Sequence, residues 1–148
     1  MPSEISNMQT DKVVLDTNSL LVSLARKGKA YAVWKGFQEG QYILCVSNEI
    51  LAEYEEIIAQ KTRPEIARNV LDFILQQRNV ELIDPHFHLG LVTADPDDNK
   101  FVDCAFSANA TYIVSNDTHY DVLRDISFPQ LLVLKLQDFL ERLTTKSI

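Results

Sequence analysis

An α/β sandwich on a mainly parallel sheet is the fold class that this sequence predicts, on three observations. Five short apolar runs suited to strands alternate with stretches of helical periodicity along the chain, and strands joined through helices pair in parallel. The first run, Val13-Val14-Leu15, has no polar alternation, which suits a central strand covered on both faces. With 148 residues and 46% hydrophobic content, the chain has the size of one domain that buries a real core. The expected organisation is a polar, weakly ordered N-terminal tail over residues 1–11 and a single domain over residues 12–148.

The first strand stops on Asp16, and Thr17, Asn18 and Ser19 offer caps for a helix of about Ser19 to Arg26. A second helix, about Ala30 to Gln38, is set off by Gly28 and ended by Gly40. Tyr42 to Val46 is strand two. Ser47 and Asn48 cap the next helix, whose apolar positions Ile50, Leu51, Tyr54, Ile57 and Ile58 recur at helical spacing to about Lys61. Pro64 opens a helix to about Gln77 with Ile66, Val70, Phe73 and Ile74 as its inward stripe. Val80 to Ile83 is strand three. Residues 84–97 hold two prolines and a glycine and read as a connection with a short extended piece at Leu89 to Val92. His86 and His88 in it read as exposed loop positions, since no further His or Cys stands nearby to complete a metal site. Asp98 to Ala108 is helical, Tyr112 to Val114 is strand four, and Ser115-Asn116-Asp117 turns into a short helix at Tyr120 to Asp125. Leu131 to Leu136 and Gln137 to Leu143 are strand five and the last helix.

A formal charge of -7 and a pI of about 4.9 argue against a broad basic surface for nucleic acid. They leave room for a carboxylate site whose bound cations reverse its local sign. Arg26, Lys27 and Lys29 read first as a solvated helix end. Cys45 and Cys104, in an apolar strand and a helical pattern, suit two buried free thiols rather than a disulfide. The apolar runs fall well short of the ~18 residues that span a bilayer, and the start lacks the basic-then-apolar order of a signal peptide. No membrane and a cytoplasmic location are the expectation.

Parallel strands bring the segments that follow them to one edge of the sheet, where open α/β folds bind ligands. Asp16 follows strand one, Glu53 lies in the second turn after strand two, Asp98 opens the helix after the long connection, and Asp117 follows strand four. Singly, each has a plain structural role as a cap, an Asx-turn or a surface acid. Four carboxylates at one mouth repel one another unless a cation offsets them, and an oxygen-only set suits Mg²⁺ or Mn²⁺.

Asp16-Thr17-Asn18 after an apolar strand, Ser47 to Glu53, Asp95-Pro96-Asp97-Asp98 leading to Phe101 and Ala105, and Ile113-Val114-Ser115-Asn116-Asp117 together resemble the PIN-domain family over about Lys12 to Leu143. The chain is most similar to bacterial PIN proteins described as toxin components of toxin-antitoxin systems, relatives of the VapC-type toxins. The resemblance implies a three-layer sandwich on a five-stranded sheet in order 3-2-1-4-5. It also implies Mg²⁺ or Mn²⁺ at Asp16, Glu53, Asp98 and Asp117, RNA as substrate, an antitoxin protein as partner, and room for a homo-oligomer. Asp16 is then the central ligand, Asp98 and Asp117 complete the shell, and Glu53 binds metal or takes a proton from the attacking water. Where the family commonly has Thr-Gly-Asp this chain has Ser115-Asn116-Asp117, in which serine keeps the hydroxyl and asparagine suits a left-handed turn.

Two rival readings stand beside this one. A haloacid-dehalogenase type of phosphotransfer enzyme wants a second Asp two residues after the first, and Asn18 stands there without an acidic proton to give. A catalytically silent PIN-like binding or assembly module has no chemical need for all four acids. Helix phase separates other candidates: Glu53 and Glu55 flank their apolar stripe about equally, at roughly 100° to either side. Nearness to the helix start favours Glu53. Asp98 lies on its helix's inward bearing, whereas Asp103 falls about 130° off it and is expected in solvent.

Overall fold

The computed structural model describes residues 10–86, 88–93, 95–126 and 131–146. Five strands, β1 (Lys12–Leu15), β2 (Ile43–Val46), β3 (Val80–Leu82), β4 (Tyr112–Val114) and β5 (Val133–Leu134), form one sheet in the order β3-β2-β1-β4-β5, with every neighbouring pair parallel. This is the expected order, with helices on both faces. Val13, Val14 and Leu15 are all buried, as consecutive residues of a strand can be only when both faces are covered.

The helices are α1 (Thr17–Ser23), α2 (Tyr31–Gln38), α3 (Asn48–Lys61), α4 (Pro64–Gln76), α5 (Asn99–Ala108) and α6 (Leu136–Lys146). Two 3₁₀ segments, Pro96–Asp98 and Thr118–Asp125, lie at the same edge of the sheet as the strands' carboxyl ends. Helix α1 starts two residues before the expected Ser19, because Asp16 itself is its cap and takes the Ser19 N–H at 2.8 Å. Ser47 caps α3 through the Ile50 N–H as expected, and Pro64 sits in the first turn of α4. Helix α5 ends on Asn109 at φ 53°, which lets Ala110 N–H return to the Ala105 carbonyl at 2.9 Å.

Four expectations are corrected. The buried stripe of α4 is Ala67, Val70, Leu71 and Ile74; Ile66 and Phe73 flank it half-buried, Phe73 having turned sideways onto the Trp34 ring 5.4 Å away. The extended piece expected at Leu89 to Val92 is broken by Gly90 at φ 61°, and Val92 is pinned by the Asn99 side chain, which accepts its N–H at 2.8 Å and donates to its carbonyl at 2.9 Å. Asn116 is not left-handed, since Asn109 is the only non-glycine residue at positive φ among the described residues. Its Oδ1 caps α6 by accepting the Leu136 N–H at 2.9 Å. Asp103 is not in solvent: it is 6% exposed and accepts the Leu89 N–H at 3.0 Å, because the 84–97 connection covers the helix face that the sheet leaves open.

Residues 1–9 of the expected tail lie outside the described residues. Asp11 is packed, its carboxylate taking the Tyr112 hydroxyl at 2.7 Å and Arg142 Nε at 2.9 Å, so α6 is tied to the amino-terminal edge of the sheet. Cys45 and Cys104 are buried and free.

Candidate active site

Asp16 stands where the central strand ends. Its backbone N–H extends the ladder to the Val114 carbonyl at 3.1 Å, and the Tyr54 hydroxyl on α3 holds the preceding Leu15 carbonyl at 2.6 Å. Asp16 is 8% exposed, and its carboxylate takes the Ser19 N–H on one oxygen and the Ser115 hydroxyl on the other. Burial nevertheless pushes its pKa above the usual carboxylate range, and the charge of Asp117 adds to the rise. Two neutral donors do not fully replace the water that this anion has lost.

Asp117 is coupled to Asp16 through a shared serine. Its N–H donates to Ser115 Oγ at 3.0 Å, and that hydroxyl donates onward to Asp16. The hydroxyl that serine keeps in the Ser115-Asn116-Asp117 turn is the middle of a hydrogen-bond relay. The Asp117 carboxylate caps the 3₁₀ segment Thr118–Asp125, accepting the His119 N–H at 2.9 Å.

Asp98 ends the other 3₁₀ segment and enters α5 without capping it, which leaves its oxygens facing the cleft. Burial first, and the neighbouring charge of Asp95 second, raise its pKa to about 6, although a hydrogen bond from His119 pulls the other way. His119 Nδ1 lies 3.4 Å from Asp98 Oδ2 and 3.2 Å from Asp117 Oδ1. Asp95, Asp98 and His119 each offer a ligand atom within 4.8 Å of the others'.

Glu53 on α3 lines the same cleft as Asp16 and Asp98, and Glu55 is exposed, so the tie on the helical wheel is broken in favour of Glu53. The Glu53 side chain is 23% exposed. Thr17 Oγ1 donates to one of its oxygens, and Lys100 Nζ, 2.5 Å away, pairs with the other.

Asp16, Glu53, Asp98 and Asp117 line one cleft of about 300 Å³, with Asp95, Asp97 and Lys61 also on its wall. A second cleft shares Asp16, Asn18 and Asp117 and runs toward Leu136. Asp103 is on neither; it lies in a separate depression beside His88, whose Nδ1 is 3.5 Å away. The structure thus brings together all four acids expected at the site and keeps Asp103 apart. Asp95, Lys100 and His119 are additions that the sequence reading did not assign. Their spacing was available, since Lys100 and His119 each follow an assigned acid by two residues, but nothing in a helical or turn pattern says that such neighbours turn back onto the acids.

The donor set fits a hard divalent cation. Oxygen ligands predominate, Asp16 and Asp98 are both short of positive charge, and the Lys100 ammonium is engaged by Glu53.

A family model described as PIN domain matches residues 12–119. Among solved structures, the chain is similar to VapBC2 from Rickettsia felis bound to a DNA fragment from its promoter, at 18% identity and a TM-score of 0.58, over 84% of this chain and 98% of that one. It is similar to the PIN domain endonuclease Utp24 at 18% identity and 0.51, over 84% of each chain. The PIN domain of T. brucei RRP44 follows at 14% identity and 0.50, over 93% of this chain and 84% of that one. Such identities carry the fold alone. No curated protein matches the chain by sequence. Among the described residues no helix is long and apolar enough to cross a membrane.

Proposed function

The chain belongs to the PIN-domain family, and from that premise we propose that it is a metal-dependent endoribonuclease using Mg²⁺ or Mn²⁺, the toxin of a toxin-antitoxin pair. The observation that carries the proposal is the meeting of Asp16, Glu53, Asp98 and Asp117 in one cleft at the carboxyl edge of a parallel sheet. Four acids so placed are a liability for a binding module and an asset for a cation site.

Asp16, Asp98 and Asp117 would hold the ion, with Glu53 at the rim as a further ligand or as the proton acceptor. When bound, the ion supplies positive charge at the scissile phosphate and makes the attacking water more acidic. Ser115 fixes the direction of the Asp16 carboxylate and, through the Asp117 amide, the course of the chain into the next ligand. Thr17 and Lys100 hold Glu53 in one orientation from opposite sides. Hydrolysis then requires that water lose a proton to a cleft carboxylate, that its oxygen bond to phosphorus, and that the bond to the ribose oxygen break, that oxygen taking a proton from solvent. Lys61 on the cleft wall is placed to meet a flanking phosphate, so a net charge of -7 need not keep RNA away.

Partners follow from the same reading: RNA in the cleft, an antitoxin protein, and a second copy of the chain in a homo-oligomer. Support for the toxin assignment is the resemblance of the four motifs to VapC-type toxins together with the likeness to VapBC2 over nearly all of that chain. The test is incubation of purified full chain with single-stranded RNA in Mn²⁺, in Mg²⁺ and in chelator. Cleavage with either ion and none in chelator supports the proposal. No cleavage of any RNA with either ion would favour a silent PIN-like module.

A further inference from the structure

The geometry points to His119 as a direct nitrogen ligand of the cation, so that this centre favours transition ions over Mg²⁺. The inference rests on the metal site of the preceding reading and adds a residue and a selectivity to it. His119 is rooted next to the site by its own backbone, whose N–H is held by Asp117 at 2.9 Å. From that root the ring turns Nδ1 inward, 3.2 Å from Asp117 Oδ1 and 3.4 Å from Asp98 Oδ2. Two ligand atoms at adjacent corners of an octahedron around an ion ~2.1 Å away stand about 3 Å apart, and opposite corners about 4.2 Å. The two distances match donors at adjacent corners around one small ion, and Asp95 offers a further oxygen beside them. An imidazole engaged only in ion pairing needs one carboxylate; this ring lies between two, with a third acid beside them.

The consequence is chemical selectivity. Mg²⁺ gains little from exchanging an oxygen for imidazole, whereas the gain grows from Mn²⁺ through Co²⁺. Binding uses the Nδ1 lone pair, with the ring proton on Nε2, on the side away from the acids. The bland alternative is an imidazolium that only bridges Asp98 and Asp117, and it predicts no difference between ions.

Two measurements on the full chain decide this. Pulsed electron paramagnetic resonance of the Mn²⁺-loaded protein should show coupling to an imidazole nitrogen, absent from His119→Ala with Mn²⁺ still bound. Calorimetry with Co²⁺ and Mg²⁺ alone should show Co²⁺ affinity falling by about tenfold or more in His119→Ala, and Mg²⁺ affinity by less than about threefold. His119→Asp, which restores an oxygen donor, should keep the low Co²⁺ to Mg²⁺ ratio while recovering Mg²⁺ affinity, and so guards against a folding defect in the alanine variant. Bound Mn²⁺ without nitrogen coupling, or equal losses for both ions, overturns the histidine assignment and leaves the nuclease reading standing. A protein that binds none of these ions overturns both.

Discussion

Asp98 carries the electrostatic cost of the site most plainly. Its pKa in the fold, about 6, lies above the 3.8 of a free aspartate, so the native state holds the proton more tightly than the unfolded chain does. Stability is therefore fully favoured below the unfolded value and falls as pH rises through the window from about 4 to about 6. In chelator, Asp98→Asn should be more stable than the natural protein at pH 7.5 by about 1 to 2 kcal/mol, a figure reduced for solvent screening, with the gap closing near pH 4.5. Urea denaturation at both pH values reads it; a penalty for Asp98→Asn that is the same at both would contradict the shift. Asp103 teaches the opposite lesson about single residues. Its bearing on the helix, about 130° off the apolar stripe, is legible, but the exposure expected from that bearing is wrong. Burial came from the 84–97 connection, whose path no periodicity encodes. Asp103→Ala should thus cost about 1 to 3 kcal/mol, by leaving the Leu89 N–H without its acceptor, and lower Mn²⁺ affinity far less than Asp98→Asn does. Calorimetric titration with a melting curve separates the two effects.

Among elements, the 84–97 connection decides whether the site is assembled. It carries Asp95 and leads to Asp98, yet its described residues make no ladder with the sheet. Side chains on α5 hold it, Asn99 gripping both backbone groups of Val92 and Asp103 taking Leu89. Asn99→Ala should speed amide hydrogen exchange at Val92 by at least about tenfold, the equivalent of roughly 1.4 kcal/mol of local opening, and weaken Mn²⁺ binding as Asp95 loses its place. Unchanged exchange at Val92 would mean that the Asn99 grip does not hold the connection. The contrast with β1 explains what the sequence could and could not reveal about elements. Val13-Val14-Leu15 announces its environment by composition alone, and the cap at Ser47 and the helix start at Pro64 are written in neighbouring residues. A clamp from Asn99 back to Val92 depends on a loop closing on itself, and Leu89 to Val92 is apolar enough to imitate a strand.

At the scale of the molecule, the parallel order β3-β2-β1-β4-β5 makes the site, because it delivers residues 16, 53, 98 and 117 to one edge while Asp11, Tyr112 and Arg142 secure the other. Alternation of strands and helices made the parallel sheet legible; the order of the strands came from the resemblance of motifs. The same gathering of acids means that an ion should stabilise the whole fold. At a hundredfold excess over its dissociation constant Mn²⁺ should add about 2.7 kcal/mol, raising the melting temperature of the natural protein and much less that of Asp16→Asn. Cleavage of RNA by Asp16→Asn beside the natural protein, at equal concentration in Mn²⁺ and with matching circular dichroism, tests the central claim most directly. The account predicts a loss of at least about a hundredfold in rate, since the variant keeps the shape of the cleft and removes the charge at its centre. Equal rates for the two proteins would contradict it.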